Sequence, residues 1–119
     1  MKGFTDLDQS RKLEEILPIE SADMYYFLDP TPAGNIYHLT VKRVDFGIKN
    51  FPQYGEGDIP CWSLAALMNI LERGALFKTP EGWVYQTYVE SKAITSYYYS
   101  NPIDACIEII SELHKQKLL

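Results

Sequence analysis

Apolar positions recur along the chain with two periods, one helical and one strand-like. Near the start, Leu13, Ile16 and Leu17 share one helical face, while Arg11, Lys12, Glu14 and Glu15 lie largely on the other. Thr5 is placed to cap this helix, Asp6 and Asp8 suit its first turn, and Pro18 ends it. Asp8/Lys12 and Arg11/Glu15 sit at the spacing that brings opposite charges together. Two strand-like runs follow, Met24–Leu28 and Ile36–Val41, rich in aromatic and β-branched residues. Pro30, Pro32 and Gly34 between them predict a hairpin with a long loop over Asp29–Asn35. In the second run Tyr37, Leu39 and Val41 make the more apolar face, and Ile36, His38 and Thr40 make the other.

Helical spacing returns at Leu64, Leu67, Met68 and Leu71, with Ser63 as the expected cap and Gly74 as the expected stop. The low polar content, with Ala65 and Ala66, predicts a helix buried around much of its circumference. Trp83–Val89 and Ile94–Tyr99 predict a second hairpin turning over Glu90–Ala93. Asn101-Pro102-Ile103-Asp104 is a helix start: a cap, a first-turn proline and an acid that complements the dipole. Ile103, Cys106, Ile107, Ile110 and Leu113 form its core face, and Lys115 and Lys117 suit its negative end. Between Asp45 and Asp58 no period holds, and Gly47, Pro52, Gly55 and Gly57 predict the longest loop. The expected order is α-β-β-α-β-β-α. It describes a single α+β domain over residues 1–119, with three helices on one face of an antiparallel sheet of about four strands.

Composition narrows the class. The chain has 119 residues, 46% hydrophobic and 23% charged, enough apolar surface for a packed core. Net charge is −5, from 16 acids and 11 bases, and beyond Arg11-Lys12 the bases are scattered, with Lys42-Arg43 the only adjacent pair among them. Phosphate tracking needs clustered Lys and Arg, so nucleic acid is not an expected partner. The polar start, Lys2 to Asp6, does not read as a signal peptide, and no apolar run reaches membrane-spanning length. A cytoplasmic chain is therefore expected, with Cys61 and Cys106 as free thiols and no membrane partner.

Candidate chemistry is sparse. Cys61 precedes a helix, whose N–H groups and dipole can lower a thiol pKa, and His38 and His114 are the only histidines available as a base. The competing reading of Cys61 is a small apolar residue at a packed junction beside Trp62. Cys106 falls on a core face, His114 suits a helix end, and His38 reads as a half-exposed strand residue. Two distant Cys and two distant His match no metal spacing, and Glu20-Ser21-Ala22-Asp23 lacks the length of a calcium loop. Tyr54-Gly55-Glu56-Gly57-Asp58 is too acidic for a phosphate loop and lacks its lysine. No metal and no cofactor is expected.

The nine tyrosines are more informative. Tyr25-Tyr26 and Tyr97-Tyr98-Tyr99 are consecutive, and in a strand consecutive side chains alternate faces. Strand propensity accounts for aromatics in such runs; the functional reading is a recognition or oligomerisation face opposite the helices. That face predicts a protein partner or a second copy of the chain.

Three stretches also carry a resemblance: Gln9–Leu13 continuing through Ile16–Met24, Pro60–Leu67, and Asn101–Cys106 with Leu113-His114 and Leu118-Leu119. Together they resemble a group of short uncharacterised proteins of gut anaerobes and their phages or other mobile elements. The resemblance implies an accessory role on a mobile element, and it brings no activity, cofactor or catalytic residue.

Overall fold

The computed structural model describes residues 2–41 and 57–119. Most of the loop expected over Asp45–Asp58 lies outside the described residues, as do Lys42-Arg43 and Tyr54. The fold is α+β; among the described residues it has three α-helices and two three-stranded antiparallel sheets in place of one sheet of about four strands. The alternation of helix and hairpin stands, with one strand added before the second helix and one after it. The chain forms two compact units, Thr5–Ser63 and the pair Met1–Phe4 with Leu64–Leu119.

In the first unit α1 spans Leu7–Glu14. Its cap is Asp6, not Thr5: Asp6 Oδ1 accepts the Gln9 N–H at 2.8 Å, and Gln9 Oε1 accepts the Asp6 N–H at 3.1 Å. Leu13 and Leu17 are buried. Strands β1 (Met24–Thr31), β2 (Gly34–Val41) and β3 (Ile59–Cys61) follow, in the spatial order β2-β1-β3.

The β1–β2 hairpin is longer than expected and its loop shorter, because Pro30 lies within a strand. The Leu28 N–H donates to Asp58 Oδ1, so it points away from β2. Alternation turns the missing N–H of Pro30 the same way, past the end of β3, which pairs only with Met24–Tyr26. The proline therefore removes no ladder bond. The turn itself is Thr31-Pro32-Ala33-Gly34, with proline and glycine where a type I turn favours them. Thr31 Oγ1 closes it by donating to the Gly34 carbonyl at 2.6 Å.

The same turn recurs in the second unit as Thr79-Pro80-Glu81-Gly82, where Thr79 Oγ1 donates to the Gly82 carbonyl. It joins β4 (Ala75–Thr79) to β5 (Gly82–Val89), and Glu90-Ser91, both at positive φ, join β5 to β6 (Lys92–Thr95). The order is β4-β5-β6, and α3 (Pro102–Lys115) packs on the central strand and on α2 (Leu64–Ile70). Asn101 caps α3 as expected, Asn101 Oδ1 accepting the Asp104 N–H at 3.0 Å. Ile103, Cys106, Ile109 and Ile110 are buried.

Two features of α2 differ from expectation. Leu67 and the following Leu71 are buried, while Ala65, Met68 and Asn69 are exposed, so the helix is covered on one side only. Gly74 opens β4 and does not end the helix. At φ +111° it lets the backbone approach so closely that a Cβ there would collide with the Gln86 carbonyl oxygen. Carbonyls just past α2 are taken by β5: Tyr85 OH donates to Leu71 O and Arg73 O, and Thr87 Oγ1 to Arg73 O.

Candidate interaction surface and the buried thiols

Cys61 lies at the end of β3, fully buried. Its thiol donates to the Thr5 carbonyl at 3.3 Å and lies 3.5 Å from Thr5 Oγ1. That hydroxyl also accepts the Trp62 N–H at 3.1 Å and shares a 2.7 Å bond with Ser10 Oγ, while Tyr26 OH donates to the Thr5 carbonyl at 2.7 Å. Thr5 thus joins the start of the first unit to β1, β3 and α1, a role its reading as a helix cap missed. Among the described residues, every buried side-chain N and O has a partner.

Burial raises the Cys61 pKa, with the hydrogen bonds from Thr5, Tyr26 and Ser10 offsetting only part of the rise. This is the reverse of an activated nucleophile. Nor does the fold bring His38 to it. Directly paired strand residues point to one face, so Cys61 opposite Met24 and Ile59 opposite Tyr26 face the same way. His38 pairs with Phe27 on the other face, three residues along and two strands across, roughly 14 Å away by strand spacing. It lies 3.1 Å from Asp29 Oδ2 instead. His114 is exposed on α3, and burial drives the Cys106 thiol up to about 12.

The expected tyrosine surface divides. Tyr26 is on the helix-covered face, 9% exposed, in a cluster with Ile59 and Cys61 against which Leu7, Met24 and Tyr37 pack. It is removed from the candidate contact residues, because its phenol is both buried and hydrogen-bonded. Tyr25 lies on the opposite face, half-buried and paired with Thr40. Beside it are the pairs Phe27–His38 and Asp29–Ile36, with Phe27 and Ile36 each 47% exposed and the Phe27 and His38 rings 6.4 Å apart. Phe27 and Ile36 are less conspicuous in the sequence than the consecutive tyrosines, and the pairing of β1 with β2 sets them on one face.

Tyr97, Tyr98 and Tyr99 belong to the other sheet and do not alternate along a strand. Ser96 pairs with Tyr85, its backbone N–H donating to the Tyr85 carbonyl and its Oγ accepting the Tyr85 N–H. The next pair is Trp83 with Tyr99, so three residues there oppose two on β5. That is a bulge, and it turns Tyr97 and Tyr98 outward, 78% and 57% exposed. Glu108 of α3 fastens it, accepting the Tyr97 N–H at 3.0 Å and the Tyr99 OH at 2.7 Å. The bond to Glu108 and partial burial push the Tyr99 phenol up to about 12.

Among the described residues, no three His, Cys, Asp or Glu side chains are grouped to hold a metal ion, and no helix is long and apolar enough to cross a membrane. No family model matches the chain, and no curated protein or solved structure does either.

Proposed function

We propose that the protein is a non-enzymatic interaction module whose contact surface is the exposed part of the first sheet's second face, around Phe27, Ile36 and His38. The observation that carries this reading is the contiguous set of Tyr25, Phe27, Ile36 and His38 on the face opposite Tyr26 and Cys61. A half-covered antiparallel sheet normally presents polar residues to water, and large side chains grouped there suit a protein contact. The rival thiol chemistry lacks an accessible sulfur, a lowered pKa and a base on the same face. The resemblance noted above gives the module an accessory role on a phage or mobile element, acting in the cytoplasm.

The test uses a photo-crosslinking residue at Phe27, at Ile36 and, as control, at Phe77. Phe77 has the same 47% exposure but belongs to the second sheet. One discrete adduct, of the same mass from Phe27 and Ile36 and absent from Phe77, is expected in cells expressing the protein. Adducts from Phe77 alone, or none from any position, would overturn the reading.

A further inference from the structure

Among the described residues β2 is one of the two outer strands of the first sheet, and its composition is unusual for an edge. Gly34-Asn35-Ile36-Tyr37-His38-Leu39-Thr40-Val41 contains no Asp, Glu, Lys, Arg or Pro over eight residues. Edge strands present unpaired N–H and C=O groups, and proteins guard them with short length, lysines, prolines or bulges. The second sheet follows that rule: its edges β4 and β6 have five and four residues and carry Lys78 and Lys92. Strand β2 has none of these guards, and among the described residues no strand lies on its outer side.

The direction of its backbone groups follows from the hairpin. Because the Leu28 N–H points away from β2, Tyr25, Phe27 and Asp29 are the residues that exchange bonds with Thr40, His38 and Ile36. Asn35, Tyr37 and Leu39 therefore turn their N–H and C=O groups outward. Tyr37 packs against the core cluster, but a neighbouring side chain on each face of this edge stays exposed. Leu39 lies on the same face as buried Tyr26 yet is 36% exposed, and Ile36 on the opposite face is 47% exposed.

We propose that β2 pairs antiparallel with β2 of a second copy, joining two three-stranded sheets into one of six strands. A two-fold axis at His38 sets Tyr37 opposite Leu39, Ile36 opposite Thr40 and Asn35 opposite Val41. Each outward N–H then finds a carbonyl and Leu39 gains an aromatic cross-strand neighbour. Such a contact is isologous and closes as a dimer. The occupant is a second copy because the edge is self-complementary: no charged Asp, Glu, Lys or Arg meets its like across the axis, although the chain carries a net −5. The proposal rests on the first sheet being the contact region, and it lays the two open faces side by side.

Hydrogen exchange of the full chain at micromolar and millimolar concentration tests it. The amides of Asn35, Tyr37 and Leu39 are expected to slow by about tenfold or more at the higher concentration, as edge pairing saturates. Leu39→Lys, a guarded edge, is expected to abolish the slowing and the dimer seen by sedimentation, whereas Phe77→Ser, at an exposed position of the second sheet, retains both. Amides that exchange equally fast at both concentrations overturn the pairing, as does a dimer indifferent to Leu39→Lys. If those amides stay open while Phe27 and Ile36 crosslink to a different protein, the pairing falls and the interaction reading stands. If the amides close while neither position crosslinks, the pairing stands and the open-face reading falls.

Discussion

The two sheets start from the same device and put it to different uses. Each opens with a hairpin closed by Thr-Pro-x-Gly, with the threonine hydroxyl bonded to the glycine carbonyl. In the second sheet the hairpin becomes scaffold: Gly82 lies under the Tyr99 backbone, Tyr85 and Thr87 are buried, and α3 packs on the central strand. In the first sheet Gly34 has open space around it, and β2 ends as a long uncharged edge beside Phe27 and Ile36. Identical turn chemistry specifies a hairpin and nothing more; what covers each hairpin decides whether it serves core or surface.

The largest contrast is in stability. Leu67→Ala or Ile110→Ala empties fully buried space in the second unit and should cost roughly 2–5 kcal/mol in denaturant titration. Phe27→Ser on the open face should stay within about 0.5 kcal/mol. Comparable losses at Phe27 and Leu67 would erase the distinction between surface and core.

A second contrast compares the turns directly. Gly34 and Gly82 have nearly the same backbone, φ +128° and +138°, so Ala strains both. At Gly82 a Cβ would also lie 2.7 Å from the Tyr99 carbonyl oxygen, whereas at Gly34 nothing lies within 4 Å. Gly82→Ala should therefore be the worse of the two by roughly 1–3 kcal/mol in chemical denaturation. Equal losses would mean that the Tyr99 contact carries no weight.

Smaller effects sharpen the picture of the second unit. Asn101→Ala removes the cap of α3 and should cost about 1 kcal/mol while leaving crosslinking from Phe27 unchanged. Cys106 tests the burial of that helix by pH. Its pKa is raised from 9.0 to about 12 in the fold, so the folded state keeps a proton that the unfolded state releases. The stabilisation is complete below pH 9 and is lost as pH climbs towards 12. At pH 10 the loss is about 1 kcal/mol, and Cys106→Ala should remove that part of the alkaline slope.

Local signals made the helices legible. Asn101-Pro102-Ile103-Asp104 states its own start; α1 differs from expectation in its cap, because Thr5 and Asp6 are chemically alike as caps, and in its end, which falls at Glu14, short of Pro18. Strand boundaries were harder. Pro30 reads as a breaker unless one knows that β3 stops short of it, and β3 itself is three residues with Pro60 in the middle. Strand β4 is marked in the sequence only by the repeat of Thr-Pro-x-Gly, because Leu76, Phe77 and Lys78 give no clean alternation. For the surface, pattern alone marked Ile36 and His38 as sharing a face, but it could not choose between Tyr25 and Tyr26. That choice depends on which side α1 covers, a long-range contact. The bulge at Tyr97–Tyr98 depends on Glu108 in another element and has no local signature.

The central claim, that association runs through the first sheet and leaves the second as scaffold, is tested most directly by amide chemical shifts across a concentration series. Shifts that move with concentration should cluster at Phe27 and Asn35–Thr40, while those of β4, β5 and β6 stay fixed. Movement centred on Tyr97 and Tyr98, or on Tyr88 and Phe77, would contradict the account.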